Sequence, residues 1–170
     1  DGKRARQCVD VRGDILRVSL GATTRQETLV ASPANEYSGA VSAGRQWLAY
    51  QSDETGRPEI YVRDLGDSGA RWQVTFQGGE EPHWSQDGLQ LFYRSANRLM
   101  SAPLEPGKTF RSGQPRGLFD GAYNSGIESG RSYDVNPVSG RFLLVKPADE
   151  GSSTRTVRMV LNWASELPVR

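Results

Sequence analysis

The chain of 170 residues carries 21 Lys and Arg against 20 Asp and Glu, so it lacks the clustered cationic charge that nucleic acid or an anionic membrane surface requires. A single cysteine, Cys8, excludes an internal disulfide and a cysteine-built zinc centre, and a single histidine, His83, excludes any site made from two. No apolar run reaches the ~20 residues that span a bilayer, and Asp1-Gly2-Lys3-Arg4 does not have the pattern of a signal peptide.

In chain order, apolar residues arrive in bursts of three to six, rich in Val, Ile, Leu, Tyr, Phe and Trp, as strands require. Nineteen glycines and nine prolines separate them with turns. Cys8 falls in a first strand. Residues 15–20 and 27–30 supply the next two. A strand ending at Val41 leads through a turn into the Trp47-Leu48-Ala49-Tyr50 burst, then into strands over 60–65 and 71–76. The order recurs: a strand ending at Trp84, the Leu89-Gln90-Leu91-Phe92-Tyr93 burst, strands over 99–104 and 116–119. It begins again with a strand ending at Val135, the Phe142-Leu143-Leu144 burst, and a looser strand over 156–161. Only residues 162–167 offer a helical pattern, of two turns at most.

Two independent series establish the repeat. Ser42, Ser85 and Asn136 anchor equivalent turns; Val41, Trp84 and Val135 precede them, and Leu48, Leu91 and Phe142 follow six places on. The leucines closing the third strands, Leu20, Leu65 and Leu104, keep the same phase. Four antiparallel strands in roughly 40–50 residues is the size of a propeller blade. Such a sheet, apolar on both faces, is buried only by stacking against its neighbours. The expected fold is therefore all-β: a partial β-propeller of about three and a half four-stranded antiparallel blades. Its units are 1–34 (incomplete), 35–78, 79–121 and 122–163 (incomplete), with a tail over 164–170. The phase, with Asp1-Gly2 equivalent to Asp87-Gly88, predicts a segment of a longer chain. Gly88 and Gly140 are expected to take the positive φ of their turns. In Ser42-Ala43-Gly44-Arg45 the glycine is moved one place, so a different turn is expected there.

The string Trp47-Leu48-Ala49-Tyr50-Gln51-Ser52-Asp53-Glu54-Thr55-Gly56-Arg57-Pro58-Glu59-Ile60-Tyr61-Val62, with Glu81-Pro82-His83-Trp84-Ser85-Gln86-Asp87-Gly88 and Leu91-Phe92-Tyr93-Arg94-Ser95, resembles the bacterial WD40-like propeller repeat of the TolB type. The resemblance covers most of residues 1–163. It is closest to the propellers that follow the kinase domain of bacterial membrane-linked serine/threonine kinases, which commonly end in a string like Val160-Leu161-Asn162-Trp163. Departures are the shifted Gly44 and the divergent segment 105–131. The resemblance implies a rigid scaffold that binds protein partners at its axis and rims, on the extracytoplasmic side. Neither a phosphate loop nor any kinase catalytic string occurs in the sequence, so phosphoryl transfer would belong to another domain.

On the innermost strands the alignment groups Glu80, Glu81 and His83 with Tyr37, Ser38 and Ala40 before them and Arg131, Ser132 and Asp134 after. These side chains either contact a ligand at the axis or satisfy hydrogen bonds between blades; acid/base chemistry by the Glu80, Glu81 and His83 group is the weaker reading. Residues 120–131 form a long connection whose Tyr123, Asn124 and Arg131 are recognition-type residues, or else a glycine-rich linker. Residues 53–57 read as a solvated hairpin turn, since the calcium-loop pattern is absent. The tryptophans read as packing, and Ser42 and Ser85 as turn residues with no triad around them. No cofactor is expected. The expected function is non-catalytic recognition of a protein, peptide or small ligand; the alternative is the gating propeller of a prolyl-oligopeptidase-like peptidase. Should the chain stand alone, two copies could close a seven-bladed ring.

Overall fold

The computed structural model describes residues 13–20, 23–66, 68–107, 109–121 and 131–145. Twelve strands fall within them: β1 Ile15–Ser19, β2 Arg25–Val30, β3 Glu36–Val41, β4 Trp47–Ser52, β5 Glu59–Asp64, β6 Arg71–Gln73, β7 Glu80–Trp84, β8 Gln90–Ser95, β9 Arg98–Pro103, β10 Arg116–Asp120, β11 Tyr133–Val135 and β12 Phe142–Leu144. The described residues include no helix, so the all-β expectation holds. The strands form four antiparallel sheets, each a simple meander: β1-β2, β3-β4-β5-β6, β7-β8-β9-β10 and β11-β12. The strands expected around Cys8 and over 156–161, and Trp163, lie outside the described residues.

The register repeats with the sequence. Val41 pairs with Leu48, Trp84 with Leu91 and Val135 with Phe142. Because side chains alternate across a strand, that shared register sends Leu48, Leu91 and Phe142 to the same side of their sheets. Leu48 packs with Tyr50 and Tyr61 against Val30 and Ile15 of the first sheet. Leu91 and Tyr93 share a layer with Ala40, Ala49, Ile60 and Val62 of the second. Phe142 and Tyr133 share one with Phe92 and Leu99 of the third. Each sheet thus covers the one before it, with Leu48, Leu91 and Phe142 each packed toward the preceding sheet, Phe142 less deeply than the other two. Fully burying a Leu side chain in such a layer contributes about 1.5–3 kcal/mol.

Aromatic edges lock the layers. Phe110, from the β9–β10 connection, sits between Trp47 and Trp72 of the second sheet at 5.8 and 5.7 Å, and the two indoles meet edge to face at 5.6 Å. Trp84 donates its indole N–H across the layer to the Ala40 carbonyl at 2.8 Å. These tryptophans serve packing, as expected.

Two local expectations fail. The strand expected over 71–76 ends at Gln73. There the side chain of Thr75 replaces the ladder, its Oγ1 accepting from the Ile60 N–H at 2.8 Å. Thr75 also donates to Glu59, a buried carboxylate that takes the Gly78 N–H at 3.0 Å and Arg57 Nε at 2.7 Å. That network fixes the crossover into β7. The turn over 42–46 is not the odd one either. Arg45 takes φ +56° where Gly88 takes +71°, and both turns close with the same bonds: Arg45 N–H to Ser42 O, Gly88 N–H to Ser85 O. The anchor hydroxyl accepts the N–H of Trp47 in one and of Gln90 in the other. The turn that differs is 136–140, where Gly140 holds the positive φ one place later and bonds back to Asn136 O.

Candidate functional site

The leading edge strands β3 and β7 carry the same irregularity. Pairing with β4 shifts between Tyr37 and Ala40, and pairing with β8 between Glu80 and His83. At each bulge one non-glycine residue enters the left-handed region: Ser38 at φ +54° and Glu81 at φ +54°. Bulges re-aim side chains at sheet edges, and the left-handed conformation costs an L-residue roughly 1–2 kcal/mol, so these positions must be held by other contacts.

At Glu81 those contacts cross to the fourth sheet. One carboxylate oxygen of this buried residue accepts both the N–H and the hydroxyl of Ser132, each at 2.7 Å. The Tyr133 hydroxyl donates to the Glu81 carbonyl at 2.7 Å. Arg94, itself buried, donates to the Ser132 hydroxyl at 2.6 Å. Burial first, and then the Glu81 charge, push the Tyr133 hydroxyl far above its ordinary range, so it remains a donor. His83 adds a second tie: Nε2 lies 3.3 Å from Asp134 Oδ1, and Nδ1 lies 2.8 Å from the Trp84 carbonyl.

The expected site residues therefore divide. Glu81 and His83 are engaged in bonds between or within sheets, the structural of the two readings above. Tyr37 is exposed with its ring over Gly13, where a side chain would collide with it. Glu80 is half-buried, and Asp134 and Arg131 are exposed. Tyr123 and Asn124 lie outside the described residues. Asp53, in the hairpin that invited a calcium reading, accepts the Asn35 backbone N–H at 2.8 Å and its side-chain amide at 2.7 Å, which lowers the Asp53 pKa. It staples the β2–β3 crossover to the β4–β5 turn.

A cleft of about 920 Å³ opens at the end of the sheets that carries the 42–46, 85–89 and 136–140 turns. Val41, Trp84 and Val135, one repeat position on three successive leading strands, all line it, with His83, Phe92 and Phe142 beside them. Gln86, Asp87 and Ser139 form part of its polar lip. The cleft was missed from sequence because its walls come from three repeats, each reading as core or turn; Ser132, Tyr133 and Arg94 were missed because their partner lies across a sheet boundary.

Among the described residues no group of His, Cys, Asp and Glu has the arrangement of a metal site, and no helix is long and apolar enough to cross a membrane. No protein-family model and no curated protein matches this chain.

Proposed function

We propose that this chain is part of a β-propeller and acts as a non-catalytic recognition module for a protein, peptide or small ligand. By its resemblance to the kinase-linked propellers it serves as the sensing or scaffolding part of a larger bacterial protein. The observation carrying this reading is the convergence of Val41, Trp84 and Val135 on one cleft. Equivalent positions of successive repeats meet in this way when sheets are arranged about an axis. The same arrangement leaves Tyr37 and Asp134 exposed and Glu80 half-exposed on the leading strands β3, β7 and β11. A rigid scaffold with exposed aromatic and charged groups suits binding at low entropic cost.

The test compares the immobilised wild-type chain with the variant Tyr37→Ala/Glu80→Ala/Asp134→Asn, both shown to be folded by thermal melting. Bacterial extract is passed over each and the retained proteins are counted by mass spectrometry. The reading expects a partner held by the wild type and lost by the variant. Identical retention by both would contradict it.

A further inference from the structure

Of the five described ion pairs one touches the cleft, through His83 on its wall with Asp134 at 3.3 Å; the other four involve none of its lining residues. Arg17 meets Glu27, Arg57 meets Glu59, Arg71 meets Glu54 and Arg98 meets Asp120. Asp87, on the cleft lip, is in none of the five, and among the described residues no Lys or Arg lines the cleft. The Asp87 carboxylate is fixed rather than loose: it accepts the Ser85 hydroxyl and the Leu89 N–H at 3.0 Å, and these bonds hold its pKa below the usual value. The site thus joins an apolar floor of Val41, Trp84 and Phe142 to the Asp87 carboxylate at its mouth, a negative charge in none of the described ion pairs. Val138, 90% exposed, overhangs the same mouth. An apolar group with a positive neighbour satisfies both features; an acidic ligand would bring two like charges together.

We infer that this cleft seats a basic peptide segment, one bulky apolar side chain entering between Trp84 and Phe142 and an adjacent Lys or Arg reaching Asp87. This rests on the recognition reading and names its partner class. The volume admits a few peptide residues.

The probe is a fluorescein-labelled nonapeptide with a central phenylalanine flanked by two lysines on each side, titrated into the whole chain by fluorescence anisotropy. Two control peptides replace the lysines with glutamate or the phenylalanine with serine. The inference expects saturable binding of the lysine peptide and at least tenfold weaker binding of both controls. Asp87→Asn, which keeps the turn's acceptor, should weaken binding about two- to fivefold, the worth of one exposed ion pair. Val138→Ser, at a fully solvated turn position, should weaken it too. No binding of the lysine peptide, or binding indifferent to both substitutions, overturns the inference. If the peptide binds but only the Tyr37/Glu80/Asp134 variant loses it, the recognition reading stands and this cleft is not the seat.

Discussion

Glu81→Ala is the substitution that should damage the sheet stack most for its size. It strands two buried donors, the Ser132 N–H and hydroxyl, and removes the negative charge one hydroxyl away from buried Arg94. An unsatisfied buried group costs about 1–3 kcal/mol, and breaking a buried charged network about 3–5 kcal/mol. The expected loss is therefore about 3–5 kcal/mol, a large part of the 5–15 kcal/mol typical of a domain. With a urea m-value near 2 kcal/mol/M, the midpoint should fall by roughly 2 M. Two companions dissect the cost. Glu81→Gln retains an acceptor and should lose least. Glu81→Gly loses the same bonds as alanine but relieves the left-handed backbone at φ +54°, so it should be about 0.5–1 kcal/mol milder than alanine after glycine's own entropy cost. Urea melts followed by tryptophan fluorescence give all three. An alanine variant within 0.5 kcal/mol of wild type, or a glycine variant no better than alanine, would refute the reasoning.

Arg45→Gly should stabilise by up to about 1 kcal/mol, because arginine there occupies the conformation that Gly88 occupies in the next repeat; Gly88→Ala should cost about 1–2 kcal/mol in the same melts. Trp84→Phe removes the indole donor to the Ala40 carbonyl and should cost about 0.5–1.5 kcal/mol, with the circular dichroism of the fold retained. Burial raises the hydroxyl pKa of Tyr50 and Tyr93 and pushes that of Tyr61 up to about 12. Because folding favours the neutral form, the stabilisation is complete below the ordinary value of 10 and is lost as pH rises past it toward 12. An alkaline titration at 295 nm should show these rings ionising together with unfolding. Asp53 behaves oppositely: its pKa is lowered from 3.8, so its contribution is present above that value and fades as pH falls below it, and Asp53→Asn should flatten the acid limb of the stability curve.

Much of the fold was legible because the repeat is written in apolar residues whose burial is local to a strand pair. The third strands, expected over 15–20, 60–65 and 99–104, form as Ile15–Ser19, Glu59–Asp64 and Arg98–Pro103. What escaped was held by side chains acting at a distance. In the β3 bulge the positive φ falls on Ser38 rather than on the adjacent Gly39, and the bulge at Glu81 has no glycine and precedes Pro82, which ordinarily favours extended backbone; bonds to Ser132 and Tyr133 override that preference. The β6 strand stops early because Thr75 Oγ1 substitutes for a backbone acceptor, which composition does not reveal. At the site, sequence alignment brought Glu81, His83 and Asp134 to equivalent strands, but not the direction of each group. That direction decides which side chains bind the neighbouring sheet and which face outward.

The most direct check on successive, equivalent stacking is a nuclear Overhauser experiment on a sample with labelled methyl groups and aromatic rings. Cross-peaks should run from Leu48 to Val30, from Leu91 to Ala49 or Ile60, and from Phe142 to Phe92, always to the preceding sheet. Cross-peaks from Leu48 to Trp84, or from Leu91 to Tyr133, would mean that the three positions face different directions, and the account would fail.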